Sequence, residues 1–196
     1  MSYQPPQVER VRDNVIRVYH PEPIEPKTYL TADLAAAGTS LTVADNQGFA
    51  DNDPILLGTY GAEGTEIIDE NGAVSAGTAL TTAAVTFAHE KDTPVQKLLF
   101  NKFRVSGAAT VGGTKTAIAT TNIVPSGEYT DYVVAGTTYA FYFVQYYNDY
   151  ATVAFYGAYS GAIAATDFES NTVGFARRNA FNAVGTKFDN NGYNAE

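Results

Sequence analysis

Two histidines, His20 and His89, and three clustered aspartates, Asp45, Asp51 and Asp53, are the residue types in this chain best suited to chemistry. A Ser-His-Asp triad assembles in space rather than in chain order, so type alone leaves both histidines as candidates. Neither is accompanied by a nucleophile-elbow pattern. Both read as surface histidines, His20 beside a proline-rich stretch and His89 in the turn before Glu90-Lys91-Asp92. Calcium takes several oxygen ligands from a flexible loop, but the aspartate spacing fails the EF-hand pattern, since position 48 is Gly and position 49 is Phe. Asx-turn and capping roles are the commoner use of such aspartates. Paired carboxylates could serve glycoside hydrolysis, but there is no Trp to stack on a sugar, which leaves Tyr for that task. Gly61, Gly64, Gly112 and Gly113 make no phosphate-binding fingerprint, because none lies between a strand and a helix start. The absence of Cys removes thiolate metal sites, disulfides and Cys nucleophiles. The expectation is a non-enzyme with no catalytic residue, no metal and no cofactor.

Aromatic residues carry the stronger signal. In Thr138–Tyr147, Tyr139, Phe141, Phe143 and Tyr147 alternate with Tyr142, Val144 and Tyr146, so a strand here is apolar on both faces. Thr152–Ser160 repeats this, with Val153, Phe155 and Tyr159 against Tyr156. A sandwich strand normally keeps one face polar. Core packing explains one face; subunit contact explains the other, since Tyr and Phe are enriched at interface cores. A helix is predicted over 166–184, opened by the capping-box pattern Thr166-Asp167-Phe168-Glu169 and closed at Gly185. It is apolar on two faces, with Phe181 on one and Phe168 and Phe175 on the other, and so is expected between two bodies. The contact residues expected are Val15, Val18, Tyr142, Tyr146, Phe155, Tyr156, Phe168, Phe175, Phe181 and, as a salt-bridge donor, Arg177.

The elements that hold these residues divide the chain into four. Residues 1–27, bracketed by Pro5-Pro6 and by Pro21, Pro23 and Pro26, read as an extended arm with one short strand over Val15–Tyr19. Residues 28–99 read as a small β module with strands at Ser40–Val43, Pro54–Gly58, Glu66–Asp69, Ala79–Thr81, Val85–Phe87 and Val95–Leu99, and a hairpin signal at Asn71-Gly72. Residues 100–164 read as a second β unit, and 165–196 as the helix and a tail. The fold class is mostly β: a small barrel or sandwich, then a β-sandwich. Of the net charge of −9, residues 28–99 carry −8, from ten acidic and two basic side chains. Such a surface repels phosphate, so no sequence-specific nucleic-acid contact is expected. No N-terminal apolar segment resembles a signal peptide. No run approaches the roughly 18 apolar residues of a membrane-spanning helix, so no membrane partner is expected.

The stretch Thr39 to Val95, TSLTVADNQGFADNDPILLGTYGAEGTEII…FAHEKDTPV, resembles a module recurrent in virion proteins of tailed bacteriophages. There, an SLTV strand leads to a GF…D turn, an ILLG strand and a GTEI strand, and the module ends near F.H..GTPV. Asp92 stands here where Gly is usual. Thr137 to Ile163, TTYAFYFVQYYNDYATVAFYGAYSGAI, is similar to a fibronectin type III or immunoglobulin-like domain. The resemblance implies a structural subunit of a virion assembled in the host cytoplasm. Its implied partners are copies of itself in a ring and other virion proteins: portal, connector, capsid or tail. The arm and two-faced helix favour a ring at the neck, head–tail connection or tail. The alternative is a capsid decoration or a receptor- or glycan-binding module on the particle surface.

Overall fold

The computed structural model describes residues 5–12, 14–135 and 138–165. The strands among them, in chain order, are β1 (Val8–Arg12), β2 (Val15–Tyr19), β3 (Ile24–Tyr29), β4 (Ser40–Thr42), β5 (Pro54–Leu57), β6 (Glu66–Asp69), β7 (Ala79–Thr81), β8 (Pro94–Lys97), β9 (Lys102–Ala108), β10 (Thr116–Asn122), β11 (Tyr129–Val133), β12 (Phe141–Asn148), β13 (Phe155–Tyr159) and β14 (Ile163–Ala164). Every pairing between them is antiparallel. The chain is mostly β, as its succession of short strand patterns predicts.

Two sheets close on one core. The first has the order β1-β2-β11; the second runs β10-β9-β12-β13, with β14 also on β12. Ile16 and Val18 of β2 meet Phe103 and Val105 of β9 and Tyr142, Val144 and Tyr146 of β12 across this core. Alternation decides who faces inward: successive side chains of a strand point to opposite faces, so Tyr142, Val144 and Tyr146 share one face of β12. Each fully buried side chain of this size contributes about 1.5–3 kcal/mol of transfer free energy.

Between β2 and β9 the chain leaves this body and builds another. Strands β3-β8-β5-β6 form a four-stranded sheet and β4-β7 a two-stranded one. They enclose a separate, almost wholly aliphatic core that includes Leu30, Leu41, Val43, Ile55, Leu57, Leu80 and Val95. The acidic module is therefore an insertion between β2 and β9 of the two-sheet body, which joins β1 and β2 to the second β unit. Tyr60 and Ile67 of the module reach across and pack on the first core.

Three expectations differ from this arrangement. The stretch read as an extended arm holds β1 and β2, and β2 is the central strand of its sheet; burial of Val15, Ile16 and Val18 makes it part of the body. Val85–Phe87 is not a strand, because the Glu66 carboxylate accepts the N–H groups of Thr86 (2.8 Å) and Phe87 (3.2 Å) that a ladder would have used. Asn71-Gly72 does not close a β6–β7 hairpin. Strand β7 pairs with β4, while the buried Glu70 carboxylate takes the N–H groups of Gly72 and Thr81 and shapes the connection. The helix predicted over 166–184 and the tail lie outside the described residues.

Candidate functional site

Two surfaces combine aromatic rings with charge. The first is the outer face of the five-stranded sheet. Alternation along β12 sends Phe143, Gln145 and Tyr147 away from the core. Across the sheet, Gln145 lies opposite Arg104 of β9 and Tyr159 of β13, and Tyr147 lies opposite Tyr156. The rings form two pairs, each under a cation. Tyr147 and Tyr156 are parallel-stacked with centroids 4.8 Å apart, and the Arg104 guanidinium sits 4.3 Å from the Tyr156 ring and 5.1 Å from Tyr147. Phe143 and Tyr159 meet edge to face at 6.1 Å, and Lys115 Nζ lies 4.3 Å from the Phe143 ring. Ring faces attract cations through their quadrupole, so Arg104 and Lys115 are held flat on the sheet. Tyr156 is 39% exposed and Tyr159 37%.

The second surface is a cleft of about 820 Å³ where the end of β2, the module and the second β unit meet. Its walls are Tyr19, Tyr60, Phe100, Tyr129 and Tyr146, and Glu22 and Glu128 stand at its rim. Phe100 stacks on Tyr146 at 5.4 Å, and Tyr19 meets Tyr129 edge to face at 6.0 Å. The Tyr146 hydroxyl donates to the Tyr19 carbonyl at 2.7 Å, tying β12 to β2. His20 packs its ring 4.7 Å from Tyr60, and its Nε2 lies 3.0 Å from Thr130 Oγ1. Burial lowers the His20 pKa to about 4, so the ring is neutral near neutral pH. Burial, then the Tyr146 and Glu22 charges, push the Tyr60 hydroxyl up; burial and Glu22 do the same for Tyr146. The Tyr60 hydroxyl and His20 Nδ1 are buried without a hydrogen-bond partner among the described residues.

The contact residues expected from sequence divide. Val15, Val18, Tyr142 and Tyr146 are buried within the chain itself; Tyr142 and Tyr146 belong to the inward face of β12. They line no open surface, apart from the edge that Tyr146 shows to the cleft. Phe155 is half-buried against Phe100, with ring centroids 5.6 Å apart. Tyr156 lies on the outer face. Phe168, Phe175, Arg177 and Phe181 lie outside the described residues. Sequence reasoning missed Arg104 and Lys115, whose cations sit on the band, and Tyr60, which comes from the inserted module. The two-faced patterns of 138–147 and 152–160 were the signals for the outer face.

Neither histidine is the surface residue expected. His89 is buried, with Nε2 2.9 Å from Glu66 Oε1; a carboxylate only accepts, so Nε2 carries the hydrogen. This pair, with the two backbone N–H groups on Glu66, pins the 86–89 turn to β6. The aspartates serve turns. Asp45 accepts the Gln47 N–H at 3.0 Å, Asp53 accepts the Ala50 N–H at 2.7 Å, and Asp53 also pairs with Lys97 at 2.6 Å. No group of three or more metal-ligating side chains occurs among the described residues.

Comparison with protein-family models, with curated proteins and with solved structures gave no match.

Proposed function

We propose that this chain is a non-enzymatic structural subunit of a tailed-phage virion that assembles into a ring at the neck, head–tail connection or tail. The observation that carries the reading is the outer face of the five-stranded sheet. Tyr156 and Tyr159 lie partly exposed on a surface that strand alternation would normally leave polar. Arg104 and Lys115, already fixed on the rings, lose little conformational freedom on contact. The exposed apolar area then rewards association, and Tyr and Arg are the residue types that dominate interface energetics.

The sheet arrangement supports the fibronectin type III or immunoglobulin-like part of the reading. A three-stranded sheet β1-β2-β11 against β10-β9-β12-β13 corresponds to strands A-B-E against C′-C-F-G of such a sandwich. On that reading the acidic module is a guest carried between the B and C strands. Its surface charge keeps it solvated and leaves the host sandwich to make the contacts.

Size-exclusion chromatography with light scattering on the parent and on Tyr156→Asp tests the assembly reading. The parent should form a discrete oligomer and the variant should move toward the monomer. A parent that stays monomeric at all concentrations, or a variant with unchanged mass, overturns it.

A second reading, a receptor-binding module or surface decoration, is favoured by the tyrosine-walled cleft with its two rim glutamates. A monomeric parent that binds an immobilised cell-surface ligand would put this reading first.

A further inference from the structure

We propose that the cleft between the end of β2, the module and the second β unit binds a compact organic cation of the ammonium or guanidinium class. This goes beyond the assembly reading and stands or falls independently of it. Three observations carry it. The cleft volume of about 820 Å³ lies within the range of small-molecule sites, roughly 300–1,000 Å³. Its walls are ring-rich, with Tyr19, Tyr60, Phe100 and Tyr146 contributing, and no Lys or Arg lines it among the described residues. The formal charges that line it among the described residues, Glu22 and Glu128, are negative, and neither has a cationic partner among those residues.

Ring faces and carboxylates act together on such a ligand. The quadrupole of each ring attracts a cation that sheds part of its hydration. Two carboxylates at the mouth add attraction that a low-dielectric wall strengthens. The molecule already uses this chemistry nearby: the Arg17 guanidinium lies 3.6 Å from the Tyr129 ring, held by Asp131 at 2.9 Å. An anion would be repelled by both glutamates with no Lys or Arg among the described lining residues to offset them, so phosphate and sulfate ligands are disfavoured. A neutral sugar would gain stacking and hydroxyl contacts but nothing from the charge.

The test uses the full chain and two matched pairs of probes, followed by NMR shifts of the backbone amides of residues 19–24, 60 and 128–129. Choline is compared with its neutral isostere 3,3-dimethylbutan-1-ol. Acetylarginine amide is compared with acetylcitrulline amide. Each cation should bind about tenfold more tightly than its neutral partner. Glu22→Gln with Glu128→Gln, both exposed and outside the core, should remove most of that preference while leaving the spectrum folded. Binding of choline alone points to a free quaternary ammonium; binding of acetylarginine amide alone points to a basic side chain of a partner; either supports the cation site. No shift from either cation at about 50 mM, equal binding of cation and neutral partner, or an unchanged preference in the double variant overturns it.

Discussion

The inserted module and the host unit are both antiparallel β, yet they are held together differently. Strands of the module are three to six residues long, and those that make most of the host core, β9 and β12, are seven and eight. Among the described residues every glycine with positive φ, Gly48, Gly58, Gly61 and Gly64, lies in the module, as do three of the four non-glycine residues there, Ala37, Asn52 and Asp92. Short ladders leave many backbone groups for something else to satisfy. In the module that something is a set of buried polar side chains. Glu66 and Glu70 hold loops as described above. Asn46 donates to the carbonyls of Ser75 and Ala79 and accepts from the Gly77 N–H. The host has buried polar anchors too, all neutral among the described residues: Asn148 donates to the Leu99 carbonyl and accepts the Tyr150 and Ala151 N–H groups, and Ser160 accepts the Val144 N–H. It adds to them long ladders and an aromatic core. Both units thus use polar anchors, but the module, with its shorter ladders, buries the carboxylates of Glu66 and Glu70 for the task where the host, among the described residues, buries only neutral groups.

The largest expected effects test whether the two cores are separate cooperative units. Phe103→Ala should cost about 4 kcal/mol and Leu80→Ala about 3 kcal/mol, as cavities in a filled core do. Denaturant unfolding followed at module and host amides should show each variant lowering mainly its own unit. Equal loss at both sets of amides would mean one cooperative body, with Tyr60 and Ile67 transmitting the damage. Next comes the polar anchor. Glu66→Ala strands the Thr86 and Phe87 N–H groups and the His89 ring, so a loss of about 2 kcal/mol is expected, read from the denaturation midpoint and from faster amide exchange at 86–89. A loss below about 0.5 kcal/mol would remove the distinction drawn between the two units.

The junction between the units should respond to pH in two opposing ways. Burial, with repulsion from Asp51 and Asp149, raises Asp69 to about 6, while burial lowers His20 to about 4. The raised carboxyl contributes stability that is complete below its unfolded value near 3.8 and is lost as pH rises through about 6. The depressed imidazole contributes stability that is complete above 6.5 and is lost as pH falls toward 4. Asp69→Asn should therefore gain melting temperature relative to the parent between pH 4 and 6.5 as pH rises. His20→Gln should gain relative to the parent as pH falls over the same window. Both groups are partly exposed, so these shifts should be smaller than those of the core variants. Parallel pH profiles for parent and variants would show that neither group titrates across that window.

Sequence reading served the two regions unequally. Alternating apolar residues located β2, β6 and β7 at their observed bounds, and the 138–147 band located β12. The sandwich contacts of β1 and β11 were not legible, because β11 (Tyr129–Val133) carries only weak alternation and pairs with β2, more than a hundred residues earlier. The insertion was hidden for the same reason: strand order is a property of long-range pairing, which local pattern does not encode. At the site, the two-faced strand signalled the outer face, but the cations on it come from β9 and from Lys115, ahead of β10. The cleft was illegible, since Tyr60, Phe100 and Tyr129 meet only after the module folds back. Val18 and Tyr142 were expected at a surface because apolar character alone does not say which face of a strand turns inward.

The smallest expected effect isolates backbone from side chain in the module. Asp92 adopts φ 71° in the turn before β8, and its N–H donates to the Leu30 carbonyl at 2.8 Å. Left-handed backbone costs an ordinary L-residue roughly 1–2 kcal/mol, less for Asp, whose short polar side chain tolerates it. Glycine removes that cost but loses about 0.5–1 kcal/mol through the freedom of the unfolded chain. Asp92→Gly should therefore stabilise by only about 0.5 kcal/mol, a rise in Tm of roughly 1–2 °C for a chain of this size. Asp92→Ala should destabilise by about 1 kcal/mol. The order Gly, Asp, Ala follows if backbone conformation decides this position. Since the carboxylate makes no hydrogen bond or ion pair among the described residues, an order with Asp first would mean that its charge matters in this acidic surface. Ala equal to Asp would mean that the turn relaxes out of the left-handed region, and the module would then be less dependent on its tight turns than its short strands suggest.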